Sequence, residues 1–289
     1  MPYEPRVRIS SAALLPLILL VPSVTEAQPK PKVEFTKGPV GKAVPACGAR
    51  ILPLVEGNQW TYVFIQAPTG PRDDLAKLTP SQPQQVVITV KKVETNGPDT
   101  VATLEEKTTT DLSKDPKKHI LDERTITSTI TCNQKKFEIS PESFFFAGEP
   151  GGFFGLTFDK FERSKDTSLK LVNGTIGENE WREDIVAHFT RTSVPGSGAT
   201  LGGGTLELER RFKPGQPENV NTKAGLYYAE HVVLVTTGRV TLEQRQPDTK
   251  PMDLPDKWNN QLWLVPNAGV VQVLNAYSHM YSLADAQLK

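Results

Sequence analysis

From Trp60 onward the chain alternates apolar and polar residues with a period of two, the pattern of a strand with one buried face. Trp60 to Gln66, Gln85 to Glu94, Thr100 to Glu105 and Glu123 to Cys132 are the first predicted strands. Glu180 to Thr192, Gly204 to Lys213, Leu226 to Gln244, Gln261 to Val265 and Gly269 to Tyr277 follow. After Gly204, Leu206, Leu208 and Phe212 take one face, with Glu207, Glu209 and Arg211 on the other. Trp181, Ile185, Ala187 and Phe189 likewise share a face. One apolar and one polar face is what an antiparallel sheet wetted on one side requires. Asn96-Gly97-Pro98, Asp115-Pro116, Asn173-Gly174 and the segment Pro195 to Gly204 supply turn chemistry between the runs. Only Ser282 to Lys289 reads as a short helix. The pattern predicts a mainly β chain: a large curved antiparallel sheet or half-open β-barrel, with a short lid or plug segment. Strand order and closure do not follow from it.

The first 27 residues read differently. Arg6 and Arg8 precede an almost unbroken apolar run from Ala12 to Val21, and Thr25-Glu26-Ala27 offers small residues at a cleavage position. That run is about ten residues, whereas a membrane span needs ~20. The expectation is a signal peptide over 1–27 cut between Ala27 and Gln28, a linker over 28–50 and a single β domain over 51–289. The mature form would then be periplasmic or secreted, with no transmembrane span.

Charge and composition narrow the partners. Thirty-three Lys and Arg balance 33 Asp and Glu, so there is no overall basic footprint for nucleic acid. The segment Lys114-Asp115-Pro116-Lys117-Lys118-His119 is read as an exposed loop, with anionic lipid head groups as one conceivable contact. Cys47 and Cys132 are the two cysteines. In an oxidising compartment they are expected to pair, closing a loop worth roughly 4.5 kcal/mol on a chain-entropy argument. Two buried free thiols are the alternative.

Two stretches carry a resemblance. Pro53-Leu54-Val55-Glu56-Gly57-Asn58-Gln59-Trp60-Thr61-Tyr62 resembles the P-L-x-x-G-x-x-W-x-Y opening of many uncharacterised bacterial exported proteins. Trp263-Leu264-Val265-Pro266-Asn267-Ala268-Gly269-Val270-Val271-Gln272 resembles their W-x-x-P-G-x-G-x-V close, with Asn267 and Ala268 replacing the usual Gly-bearing turn. Such proteins look like the periplasmic lipoprotein-carrier (LolA-like) half-barrel, and the resemblance implies a concave face able to hold acyl chains. The motif residues are fold markers: Gly57 serves a turn, Trp60 and Tyr62 one strand face, Pro266 to Gly269 a hairpin.

Candidate chemistry is sparse. His119, His188, His231 and His279 are scattered, with no partner at metal-ligand spacing, and no metal or cofactor is expected. His188 is placed on a polar strand face. His231 is read as a hydrogen-bonded core or cavity histidine sharing a face with Ala229, Val233 and Val235. Gly196-Ser197-Gly198 lacks the first Gly of a nucleophile elbow. Glu178, Glu180, Glu183 and Asp184 are read as a solvated strand edge, with paired acid-base work as the sharper alternative. Asn173-Gly174-Thr175 matches a glycosylation acceptor that a bacterium leaves unused.

Seven of the twelve phenylalanines fall between residues 144 and 161: Phe144, Phe145, Phe146, Phe153, Phe154, Phe158 and Phe161. Three in a row cannot all face one core from a strand. A plug closing an open barrel end and a mobile apolar lid both fit. The first functional reading is an exported, non-enzymatic envelope protein that binds a lipid or other apolar small molecule on the concave face. A structural or interaction scaffold with a filled core and an envelope protein partner is the alternative. An envelope hydrolase using His231 or the Glu178 to Asp184 carboxylates is a third.

Overall fold

Period-two runs become strands at nearly every expected place. The structure is a computed structural model that describes residues 36–42, 51–65, 83–113, 117–133, 137–148, 158–163, 176, 179–190, 192–193, 200–201, 203–243, 252–253, 258–275 and 278–289. The chain divides into two compact units, Met1–Lys32 and Val33–Lys289. The first unit, with the expected cleavage site at Ala27 and Gln28, lies outside the described residues, as does Cys47.

The strands are β1 (Gln59–Ile65), β2 (Gln85–Asn96), β3 (Asp99–Asp111), β4 (Leu121–Cys132), β5 (Phe137–Ile139), β6 (Phe158–Arg163), β7 (Trp181–Phe189), β8 (Thr192–Ser193), β9 (Thr200–Leu201), β10 (Gly204–Pro214), β11 (Glu218–Thr222), β12 (Gly225–Leu242), β13 (Met252–Asp253), β14 (Trp258–Val265), β15 (Gly269–Leu274) and β16 (Met280–Gln287). A single helical turn, α1 (Phe144–Ala147), sits between β5 and β6. The main sheet runs β5-β4-β3-β2-β1-β16-β15-β14-β12-β10-β7-β6, with β11 and β13 also on β12 and β8-β9 a separate hairpin. The expected fold class holds: a large curved antiparallel sheet, here not closed into a barrel.

Alternation decides the faces. Val86, Ile88 and Val90 on β2, Ala102 and Leu104 on β3, Ile185, Ala187 and Phe189 on β7, and Leu206, Leu208 and Phe212 on β10 all turn into one buried core. The intervening residues stay partly or fully exposed.

Two expectations are corrected. Ser282 to Lys289 is no helix, because β16 pairs along β1 and β15. A register shift opposite Thr61 and Tyr62 leaves Ala284 as an extra residue, so inward-facing Leu283 and Ala286 lie three apart. A bulge has imitated helical spacing. On β12, buried Tyr227 and Ala229 are followed by buried Val232 and Leu234, a similar slip where Gly215 to Pro217 oppose Glu230 and His231. His231 consequently shares the outer face with Val233 and Val235, and the buried Ala229 is not its neighbour there.

Within the expected linker, residues 36–42 lie against the sheet. Backbone N–H groups of Lys37, Gly41 and Lys42 donate to carbonyls of Leu226, Asn267 and Lys289, each at 2.7 Å. Gly38 permits the approach: a Cβ there would stand 2.1 Å from the Tyr227 ring.

Candidate functional site: a plugged concave face

The inner face of the sheet is occupied by α1. Ser143 caps the turn by accepting from the Phe145 amide, and Gly148, at φ 69°, ends it in the left-handed conformation. A helical turn solves the problem of three consecutive phenylalanines. Phe144, Phe145 and Phe146 are all buried, since successive side chains on a helix spread around its axis. Phe144 packs on Tyr62 (ring centroids 4.6 Å) and on Tyr281 (5.7 Å), and Phe145 meets Trp60 edge-on at 5.5 Å.

Both ends of the turn are held by buried charged side chains. At the start, Glu106 of β3 is fully buried. Its Oε1 accepts from the hydroxyls of Ser128 and Ser143 at 2.7 Å each, and its Oε2 accepts from the Phe144 amide at 2.9 Å. Burial raises the Glu106 pKa above its ordinary value, against the opposing pull of these hydrogen bonds. At the far end, Arg210 of β10 donates through Nη2 to the Phe146 carbonyl at 2.8 Å and lies 4.0 Å over the Phe146 ring. Burial pulls its pKa down to about 10. Across the ladder Arg210 is registered with Glu183 of β7, and the two form an ion pair at 3.5 Å. Arg163 of β6 donates to the same carboxylate at 2.5 Å. Through its other terminal nitrogen it donates to the Ile139 carbonyl of β5. Since β5 and β6 are the two ends of the strand order, Arg163 spans the seam where the curved sheet stops short of closing. The Phe158 amide adds a second link, donating to Glu142 Oε1 at 3.2 Å.

The two family-like motifs meet at this core. Trp60 Nε1 donates to the Ala268 carbonyl and the Tyr62 hydroxyl to the Val270 carbonyl, both at 2.7 Å. Asn267 at φ 62° and Gly269 at φ 98° shape the hairpin that presents these carbonyls. Cys132 is buried at the end of β4.

The seven phenylalanines thus separate. Phe144 to Phe146 form the plug, and Phe158 lies on β6, edge-on to Phe189 at 6.5 Å. Phe161 belongs to β6 as well, while Phe153 and Phe154 lie outside the described residues. The described members of the Glu178 to Asp184 carboxylates are not gathered. Glu183 is corrected from a solvated edge to a fully buried ion pair, because it shares the inner face with Ile185. Asp184 faces outward with Arg182 at 2.8 Å, Glu180 meets Lys213 at 3.3 Å, and Glu178 lies outside the described residues. Gly196-Ser197-Gly198 and Asn173-Gly174-Thr175 also fall outside them.

The histidines stay apart. His119 contacts Asp111 at 2.7 Å at an exposed tip, and His188 lies on the outer face of β7, partly exposed. His231 stacks on Trp263 at 4.8 Å, with Nε2 at 3.1 Å from Gln261 Oε1. Buried His279 lies edge-on to Phe64. Among the described residues no cluster of His, Cys, Asp and Glu has the makings of a metal site, and no helix is long and apolar enough to cross a membrane.

No protein-family profile and no curated protein matches the chain. Two solved structures are similar to it. A Bacteroides fragilis protein designated an exported protein with a YmcC-like fold is 13% identical, with a TM-score of 0.44 over 83% of this chain and 99% of its own. A Parabacteroides distasonis protein designated a lipoprotein is 12% identical, with a TM-score of 0.45 over 84% and 99%. At those values the function has to be argued from this chain's own residues.

Proposed function

We propose that this is an exported, non-enzymatic protein of the bacterial envelope that acts as an interaction scaffold around a filled core. One observation carries the reading: the concave face that would receive a ligand is occupied by the chain's own α1, tied at one end to Glu106 and at the other to Arg210. The charged groups of the inner face are committed to that tie, which supports a structural role for them over acid-base work. The leader-like first 27 residues support export to the periplasm or beyond, and pairing of Cys132 with Cys47 belongs to the same reading. Counting thiols on the denatured, non-reduced chain tests the pairing, and two titratable thiols would exclude it.

Apolar-ligand binding is the second reading, favoured by the aromatic seat of Trp60, Tyr62 and Tyr281 beneath α1. It requires α1 to leave that seat. Native mass spectrometry with organic extraction, on protein purified from an exporting host without detergent, separates the two. A monodisperse, empty protein that leaves apolar dyes dark supports the scaffold. A lipid retained at fixed stoichiometry overturns it in favour of a carrier.

A further inference from the structure

On the outer face, away from the plug, His231 belongs to a constellation that the scaffold role does not use. It is registered opposite Trp263 of β14, and the two rings stack with centroids 4.8 Å and planes 5° apart. Its Nε2 stands 3.1 Å from Gln261 Oε1, an amide oxygen that accepts, so in the neutral ring Nε2 carries the proton and donates. That leaves Nδ1 with a lone pair. Nδ1 lies 3.8 Å from Glu218 Oε1, the oxygen that already accepts from Trp263 Nε1 at 2.6 Å. Two acceptors thus stand within ion-pairing distance with no proton to share. Gly215 leaves room for the arrangement, since a Cβ there would lie 3.0 Å from Nδ1.

A proton is the ligand that fits this gap. Taken up on Nδ1, it turns the contact with Glu218 into a charge-assisted pair and makes the ring a cation on the indole face. Histidine is the side chain whose charge ordinarily changes between about pH 5 and 8. The surrounding elements offer little competing charge. Residues 215–217, β14 and β15 carry no charged side chain. Lys213 of β10, registered with Val233, is paired with Glu180 at 3.3 Å. Glu230, which precedes His231 on β12, is the other nearby carboxylate, and burial raises its pKa. What the proton fastens is β11. That strand is paired along β12 and turns Val220 into the core, while Glu218, Asn219 and Asn221 are exposed. A strand with so small a share of the core opens easily and responds to a single added pair.

We propose that His231 is a proton-operated clasp: protonated on Nδ1, it closes an ion pair on Glu218 and holds β11 to Trp263 more tightly in acid than at neutral pH. The test compares amide exchange across β11 at pH 5.5 and 7.5, corrected for the intrinsic rates, in the parent chain and three variants. Protection of β11 in the parent is expected to be about threefold higher at pH 5.5. His231→Gln and Glu218→Gln should both remove that step, and Glu230→Gln should keep it. Tryptophan fluorescence gives a second readout, because an imidazolium stacked on an indole quenches it. The parent should dim on acidification and His231→Gln should not. Glu218→Gln keeps an acceptor for the Trp263 indole and loses only the charge, so it should still dim while its β11 exchange stays level. Glu218 is 52% exposed, so this variant carries the test if His231→Gln fails to fold. Exchange of β11 that is level with pH in the parent overturns the proposal. So does a step that survives in Glu218→Gln, or one that is lost in a folded Glu230→Gln.

Discussion

Glu106 receives three donors in a fully buried position, and that arrangement predicts how its variants behave. Glu106→Ala leaves the Ser128 and Ser143 hydroxyls and the Phe144 amide facing a void, a loss of about 3 kcal/mol in urea unfolding. Glu106→Gln should stay within about 1 kcal/mol at neutral pH, because hydroxyls can turn to accept from the amide. The native pKa of Glu106 is raised from 4.5, so its contribution is complete below pH 4.5 and declines as pH climbs through the native value. Stability of the parent should therefore fall relative to Glu106→Gln as pH rises. His279 works in the opposite sense. Burial lowers its pKa from 6.5 to about 4, so its contribution is present above pH 6.5 and is lost as pH falls toward 4. Urea midpoints measured across that window should drop less steeply in His279→Gln than in the parent.

At the scale of elements, α1 depends on Arg210 more than on its own four residues, which are far too few to be helical alone. Arg210→Met removes the bond to the Phe146 carbonyl and half of the pairing at Glu183, and should cost about 3 kcal/mol. Hydrogen exchange at the Phe145 and Phe146 amides should rise by more than exchange at β1. Arg210→Lys keeps the charge but loses the planar fork that serves two acceptors, and should fall between. These anchors were legible in part. Leu208-Arg210-Phe212 and Trp181-Glu183-Ile185 put the charges on the apolar face by simple alternation. Only partners from distant strands make such placement tolerable, and no local pattern names them. The terminal strand was misread for a related reason, since Leu283 and Ala286 carry helical spacing that only the opposing β1 explains. Strand existence is a local property of the chain. Bulges and buried ion pairs are settled between segments far apart in sequence.

For the molecule as a whole, the sheet is stitched along its length by backbone ladders but joined end to end by side chains, chiefly Arg163 reaching from β6 to Ile139 of β5. Exchange measured by mass spectrometry should be slowest at β1, β15 and β16 and fastest at β5 and β6. Arg163→Gln should speed exchange on those two outer strands while leaving β1 and β16 unchanged, and a uniform rise would contradict a seam of this kind. The position of β1 has its own consequence for synthesis. One edge of β1 pairs with β2, the next strand to be made, and the other with β16, the last. While the chain emerges N-terminus first, β1 to β5 can assemble as a meander, but the free edge of β1 stays open until Met280 to Gln287 arrive. The second strand-forming half must be complete before the first is covered. A cell making this protein must therefore leave one strand edge bare until nearly the whole chain has been made.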